Sequence, residues 1–347
     1  MPDKSALRIV AIGGGTGLST LLKGLKKYAL PTGGAKPRPP VAQITAVVTV
    51  TDDGGSSGRL RRVFDILPPG DIRNCLVALS EDEAMLARLF QYRFPDGSGL
   101  KGHSFGNLFL AALTNITGDF AHAVSFASEI LAIAGRIHPS TAANVVLEAT
   151  LENGEKVIGE TRISRSKVRI KSLALSPHKP KPIEDTLRAI EQADLITLGP
   201  GSLFTSVIPN LLVDGIPEAI AKSNALTAYF TNLMWQPGET EHFSAADHLQ
   251  AILDHSRQDL VDYIVVNTKN MSPDVLDRYA TQRALPVDSD FDRLKKMRVS
   301  VVSEILLAET EKIRHDPDRA ADVAIKLARL GRRRRLIRET RSDSGSM

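Results

Sequence analysis

Three apolar runs, each ending in glycines and hydroxyls, constrain the fold of this chain more than any other feature. Leu7-Arg-Ile-Val-Ala-Ile12 stops at Gly13-Gly-Gly-Thr-Gly17, the run 44–50 stops at Thr51-Asp-Asp-Gly-Gly-Ser-Ser-Gly58, and the run 194–198 stops at Gly199-Pro-Gly-Ser-Leu-Phe-Thr-Ser206. Short β-branched runs without polar alternation read as strands covered on both faces, as in a parallel sheet. Leu18, Leu21, Leu22 and Leu25 fall on one face of a helix over 16–28, so the chain begins as strand, tight turn and helix. In an open parallel sheet the strand ends collect along one edge, which is where ligands bind.

The same rhythm returns in the C-terminal half. Helical periodicity over 183–193, 217–223, 245–255 and 273–279 alternates with strand-like runs at 194–198, 226–231, 263–266 and 299–302. Between the two halves the reading is helical over 72–79, 83–92, 105–113 and 120–133. Apolar and polar residues then alternate over 144–175, with Asn153-Gly154 as a hairpin turn. The fold class expected is α/β: a Rossmann-like three-layer α/β/α arrangement with a mostly parallel sheet and an inserted helical plus β-hairpin segment at about 75–180. Residues 1–330 read as a single domain, 31–40 as an irregular linker and 331–347 as a basic flexible tail.

Composition narrows the class of protein. With 347 residues and 42% hydrophobic content the chain can bury a large core. Its apolar stretches fall well short of the roughly 20 residues that span a bilayer, so no membrane insertion is expected. Met1-Pro2-Asp3-Lys4 lacks the character of a signal peptide, which leads us to expect a cytoplasmic protein. The single cysteine, Cys75, reads as buried filler. The net charge of +4 is accounted for by the tail, where Arg332, Arg333, Arg334, Arg335, Arg338 and Arg341 outweigh Glu339 and Asp343. No aromatics interleave with these arginines to stack bases, so a solvated end is expected and nucleic acid is not the expected partner.

Several clusters can carry chemistry. Gly13, Gly14, Gly15, Thr16 and Gly17 lie where backbone amides and a helix N-terminus can face an anion, although a turn that only lets strand and helix pack closely uses the same residues. Leu18 breaks the dinucleotide fingerprint, and the lysine of a Walker loop is missing. Asp52 and Asp53 are adjacent carboxylates able to hold Mg2+ against a phosphate, with Gly54, Gly55, Ser56 and Ser57 following and Arg59 supplying a planar donor fork. The alternative is a solvated Asp-Gly turn. Gly199, Gly201, Ser202 and Thr205 repeat the glycine-hydroxyl pattern. Asp71 reads as a helix cap, with Arg73 and Asn74 freer to meet a ligand. His103, with Asn107 on the same helix start, is either an acid/base or a satisfied structural histidine. Asn232 and Gln236 offer amides suited to a base or sugar. Near the last strand, Tyr279 can stack on a uracil ring and Arg314 can grip a diphosphate.

Six motifs together carry a resemblance: Gly13-Gly-Gly-Thr-Gly-Leu-Ser19, Thr51-Asp-Asp-Gly-Gly-Ser-Ser-Gly-Arg-Leu60, Pro68-Pro-Gly-Asp-Ile-Arg-Asn74, Gly102-His-Ser-Phe-Gly-Asn107, Gly199-Pro-Gly-Ser-Leu-Phe-Thr-Ser206 and Asn232-Leu-Met-Trp-Gln-Pro-Gly-Glu-Thr240. The chain resembles the YvcK-like gluconeogenesis factors of the CofD-like superfamily over almost its whole length to about residue 330. The resemblance implies binding of UDP-sugars such as UDP-N-acetylglucosamine and a role in cell shape and envelope synthesis during gluconeogenic growth. It implies no established reaction. The related CofD branch transfers a phospholactyl group from a guanosine diphosphate donor with Mg2+, but the Gly-Gly-Ser-Ser-Gly-Arg that follows the paired acids here is similar to the YvcK branch. Trp235 stands where relatives usually carry a small polar residue. Three functions therefore compete: a nucleotide-sugar-binding regulator without turnover, a transferase using a nucleoside-diphosphate-linked donor, and a nicotinamide dehydrogenase, which the imperfect glycine fingerprint disfavours. A homo-oligomer and protein partners of envelope synthesis fit the first.

Overall fold

A computed structural model describes residues 6–29, 42–81, 83–97, 99–309 and 312–344; the linker expected at 31–40 lies outside them. Seven strands form one sheet in the order β10-β9-β8-β7-β1-β2-β3, with every neighbouring pair parallel. These are β1 (Leu7–Gly13), β2 (Ala42–Val48), β3 (Arg136–Pro139), β7 (Leu195–Leu198), β8 (Leu226–Phe230), β9 (Tyr263–Asn267) and β10 (Ser300–Glu304). A second, antiparallel sheet of order β5-β4-β6 holds β4 (Val146–Leu151), β5 (Lys156–Ile158) and β6 (Ile170–Ser176). A small antiparallel pair, β11 (Leu307–Glu309) and β12 (Ile313–His315), completes the set.

The central strands are uniformly apolar because both sheet faces are covered. All four residues of β7 and all five of β8 are buried. Helices cover both sides. The helix Gly15–Ala29 packs with Gly70–Leu79 and the long helix Pro317–Ser344, and Glu184–Gln192 packs with Ile216–Lys222. Gly24 allows the contact with the long helix, since a Cβ there would lie 1.9 Å from the Pro317 carbonyl oxygen. The order reverses at β1. The chain first steps outward to β2 and β3, then returns to the other side of β1 for β7, β8, β9 and β10. The crevice between the C-terminal ends of β1 and β7 is therefore a topological switch point.

Three features differ from the sequence reading. Within the segment expected as an insert, Arg136–Pro139 is a strand of the main sheet; four residues with two apolar side chains give too short a pattern to register. Gly55–Phe64 is a helix, beginning inside the glycine and hydroxyl segment 51–58 expected as a turn and anchored by the buried Leu60 against Ile66 and Ala111. The arginine-rich end is docked rather than solvated. Its helix runs to Ser344, with Gly331 so close to the sheet that a Cβ would meet the Asp194 carbonyl oxygen at 1.8 Å. Asp194, fully buried at the start of β7, takes Arg332 at 2.6 Å and Arg335 at 3.1 Å. Arg334 pairs with Asp262 at 2.7 Å, and Arg338 donates to the Asn224 side chain at 3.1 Å. The positive charge of this segment is thus largely spent on closing the fold. Cys75 is buried, and burial pushes its thiol well above the usual range. Among the described residues no single helix is long and apolar enough to cross a membrane.

Candidate functional site

The switch-point crevice is built by two glycine turns pressed together. A Cβ on Gly17 would lie 2.4 Å from the Pro200 carbonyl oxygen, and one on Gly14 would lie 2.7 Å from both Asp71 Oδ2 and Thr49 Cγ2. Gly15 adopts φ +60°, a left-handed conformation that side chains resist. The glycines therefore serve close packing and, at the same time, leave the N-terminus of the helix Gly15–Ala29 facing an open cleft of about 330 Å3. Gly14 to Gly17, Gly201, Ser202, Asn232, Gln236 and Arg314 line it. Partial positive charge at a helix N-terminus together with free approach of the backbone is the arrangement that holds phosphate. Arg314, exposed on β12, supplies the one full positive charge among these lining residues.

The cleft's polar side chains are held from behind. Ser202 accepts the Thr205 N–H at 3.3 Å and the Thr205 hydroxyl at 2.8 Å, and donates its own hydroxyl to Glu239. Glu239 is buried, which pushes its carboxyl up, while hydrogen bonds from Ser202 and Ser164 act against that shift. Asn232 donates to Gln236 at 2.8 Å. Trp235 lines the cleft, its indole N–H donating to the Phe243 carbonyl at 3.0 Å. Tyr279 is not among the residues lining the cleft. Its hydroxyl accepts the Ile313 N–H at 2.8 Å, so it anchors the strand that presents Arg314.

A second opening of about 260 Å3 lies at the end of β2, lined by Asp52, Gly54, Gly55, Ser56, Ser57, Asp71, Arg73, Asn74, Arg93 and Asn107. Here the two adjacent acids part company. Asp52 Oδ1 accepts the Gly54 N–H at 2.8 Å, whereas Asp53 Oδ1 accepts both the amide and the hydroxyl of Thr161, at 2.9 and 2.6 Å. Asp53 is tied to the short helix Glu160–Ile163, so the pair Asp52 and Asp53 does not converge on one cation. Among the described residues no group of three His, Cys, Asp or Glu side chains has metal-holding geometry. The carboxylates that share this opening are Asp52 and Asp71.

Asp71 connects the two openings. It does not cap its helix, whose N-cap is Pro69, but accepts the backbone N–H of Gly15 from the first glycine turn. Burial first, then the charge of Asp52, pushes its carboxyl from 3.8 up to about 6. Glu160, which accepts the Thr51 hydroxyl at 3.0 Å, is pushed up by burial and then by Asp71 and Asp52. Arg73 is not a free donor fork. Its guanidinium serves Ser104 at 2.7 Å, Asn107 at 3.1 Å and Asn74 at 2.8 Å, and burial lowers its pKa. His103 shares a 3.0 Å hydrogen bond with the Ser56 hydroxyl, and burial followed by the Arg59 charge pushes its imidazole down, toward the neutral form. Glu160 and Arg93 carried no motif in the sequence; they join the site only because the inserted segments fold back over the strand ends.

Fold and crevice together define an open, doubly wound α/β protein with a glycine-lined cleft at its switch point. The chain belongs to the CofD family: the family model described as 2-phospho-L-lactate transferase CofD matches residues 9–307. It is 47% identical over 318 residues to a gluconeogenesis factor of Halalkalibacterium halodurans, covering 91% of this chain and 95% of that protein. It is also 46% identical over 321 residues to the gluconeogenesis factor of Bacillus subtilis, covering 92% and 98%. A solved Bacillus halodurans structure, described as a member of the UPF0052 family, superposes with a TM-score of 0.86 at 46% identity, covering 92% of this chain and 99% of that one.

Proposed function

We propose that this protein binds a nucleoside-diphosphate sugar of the UDP-N-acetylglucosamine type and acts as a regulator of envelope synthesis and cell shape during gluconeogenic growth. The observation that carries this reading is the switch-point cleft itself. Two glycine turns, a helix N-terminus and Arg314 surround a space that suits a diphosphate, with acids and amides to either side for the ligand's two ends. The relatives named as gluconeogenesis factors support the link to gluconeogenic growth. A second reading, transfer from a nucleoside-diphosphate-linked donor with Mg2+, is supported by the family description and by Asp52 and Asp71 sharing the neighbouring opening. With a divalent ion there, those two carboxylates would hold it and the ion would supply charge neutralisation at a departing phosphate. Calorimetric titration with UDP-N-acetylglucosamine and with GDP, with and without Mg2+, followed by mass spectrometry of the incubated mixture, separates the readings. Tight binding without product supports the regulator; a consumed donor supports the transferase; no binding of either removes both.

A further inference from the structure

Away from the glycine turns, positive charge gathers around one residue, Gly102. Arg93 donates to the Gly102 carbonyl at 3.1 Å. A Cβ on Gly102 would lie 3.3 Å from Arg59 Nη2, so two guanidinium groups lie against the same backbone unit. His103 follows directly, joined at 3.0 Å to the Ser56 hydroxyl. Arg73 is close enough that, after burial, the Arg93 charge lowers its pKa. These charges lack counter-charges. Among the described residues neither Arg59, which is half-buried, nor Arg93, which is exposed, forms an ion pair with a carboxylate. Asp96, the one acid of the turn 94–103, is taken by Lys101 at 2.9 Å. Asp52 and Asp71, which line the opening at the end of β2 together with Arg93, are held by the Gly54 and Gly15 N–H groups. Guanidinium groups that converge without an anion repel one another, and a half-buried charge without a partner is costly.

We infer that Arg59, Arg93 and His103 form an anion site of their own, beside the switch-point cleft and separate from it, for the phosphate of a small phosphomonoester. Each guanidinium presents a planar fork of N–H donors that matches phosphate oxygens. With Ser56 donating to His103 Nδ1, the other ring nitrogen carries the imidazole proton and is a third, uncharged donor. Burial and then the Arg59 charge keep the ring in that neutral form. A phosphomonoester brings close to two negative charges at neutral pH. It therefore balances two guanidinium groups, which a single carboxylate does not. Asp71 lines the same opening as Arg93 and accepts the Gly15 N–H, so the anion site and the glycine-turn cleft share one buried side chain. The site stands whether or not the glycine turns hold a nucleotide.

Thermal unfolding of the whole chain in rising concentrations of glycerol 3-phosphate, at constant ionic strength, tests it, with acetate as the control for general screening. Arg59→Gln and Arg93→Gln each remove one fork, so either serves if the other fails to fold. Arg59→Lys keeps the charge without the fork, and Arg314→Ala removes the charge that lines the switch-point cleft. For the unaltered protein a rise in melting temperature of about 2 °C or more is expected with the phosphate ester, and none with acetate. Arg314→Ala should keep at least half of that rise, Arg59→Lys a part of it, and the glutamine variants none. No rise in the unaltered protein, or an equal rise with acetate, overturns the site. So does a rise that persists in a folded glutamine variant or vanishes in Arg314→Ala. No nucleotide enters the test, so failure of the nucleotide reading is a separate result.

Discussion

Replacing Asp71 with asparagine should stabilise the protein, and the gain should depend on pH. The carboxyl sits between Gly15, Asp52 and Arg73, and burial with the Asp52 charge raises it from 3.8 to about 6 in the folded state. A group whose folded pKa is raised contributes fully to stability only below its unfolded value, and that contribution is lost as pH climbs through the folded value. The loss therefore develops from about pH 4 and is complete above pH 7. At 1.36 kcal/mol per unit it reaches about 3 kcal/mol at pH 8, and about half of that at pH 5. These are upper figures, because one side of Asp71 opens to the pocket and to water. Glu160 adds in the same direction, since Asp71 is one of the charges that raise it. Asparagine keeps the oxygen that accepts the Gly15 N–H and removes the charge. Urea unfolding at pH 5 and pH 8 measures the difference. A gain at pH 8 that shrinks at pH 5 is expected, together with weaker binding of UDP-N-acetylglucosamine if the charge is retained for function. A variant less stable at pH 8, or a difference independent of pH, would refute the reasoning.

Arg332→Ala should cost about 3 kcal/mol of stability, the low end for breaking a buried pair because Arg335 still reaches Asp194; thermal unfolding checks this, and UDP-sugar affinity should not change. Gly17→Ala places a methyl 2.4 Å from the Pro200 carbonyl oxygen, so a loss of about 1–3 kcal/mol in stability and a parallel loss of UDP-sugar affinity are expected from overpacking. Arg314→Ala should lower UDP-sugar affinity by roughly 1–3 kcal/mol, as for a lost charged hydrogen bond. Tyr279→Phe removes only the acceptor for the Ile313 N–H. It should cost about 1 kcal/mol in stability and leave affinity within twofold by calorimetry.

The sheet was legible because buried parallel strands carry their own signature: β1, β2, β7, β8, β9 and β10 all fall on apolar runs. The hairpin at Asn153-Gly154 joins β4 to β5 as the turn dipeptide indicated. Charge misled where tertiary pairing was invisible. The arginines after Gly331 read as solvated because their partners Asp194 and Asp262 lie far away in sequence. The same limit governs the site. The glycine turns at 13–17 and 199–201 are local in sequence, and of these residues Gly14 to Gly17, Pro200 and Gly201 line the cleft. Asp53 was paired with Asp52 by adjacency, yet side chains on successive residues of an extended segment diverge, and Thr161 claims one of them. Tyr279, expected to stack through its ring, lies outside the cleft lining, and its hydroxyl accepts the Ile313 N–H.

The central claim, that the glycine turns at the switch point hold a diphosphate, is tested most directly by diffraction from crystals grown with UDP-N-acetylglucosamine. The account predicts both phosphates between Gly14–Gly17 and Gly201–Ser202, with Arg314 in contact. Phosphates bound at another surface, with the switch-point cleft empty at a saturating ligand concentration, would contradict it.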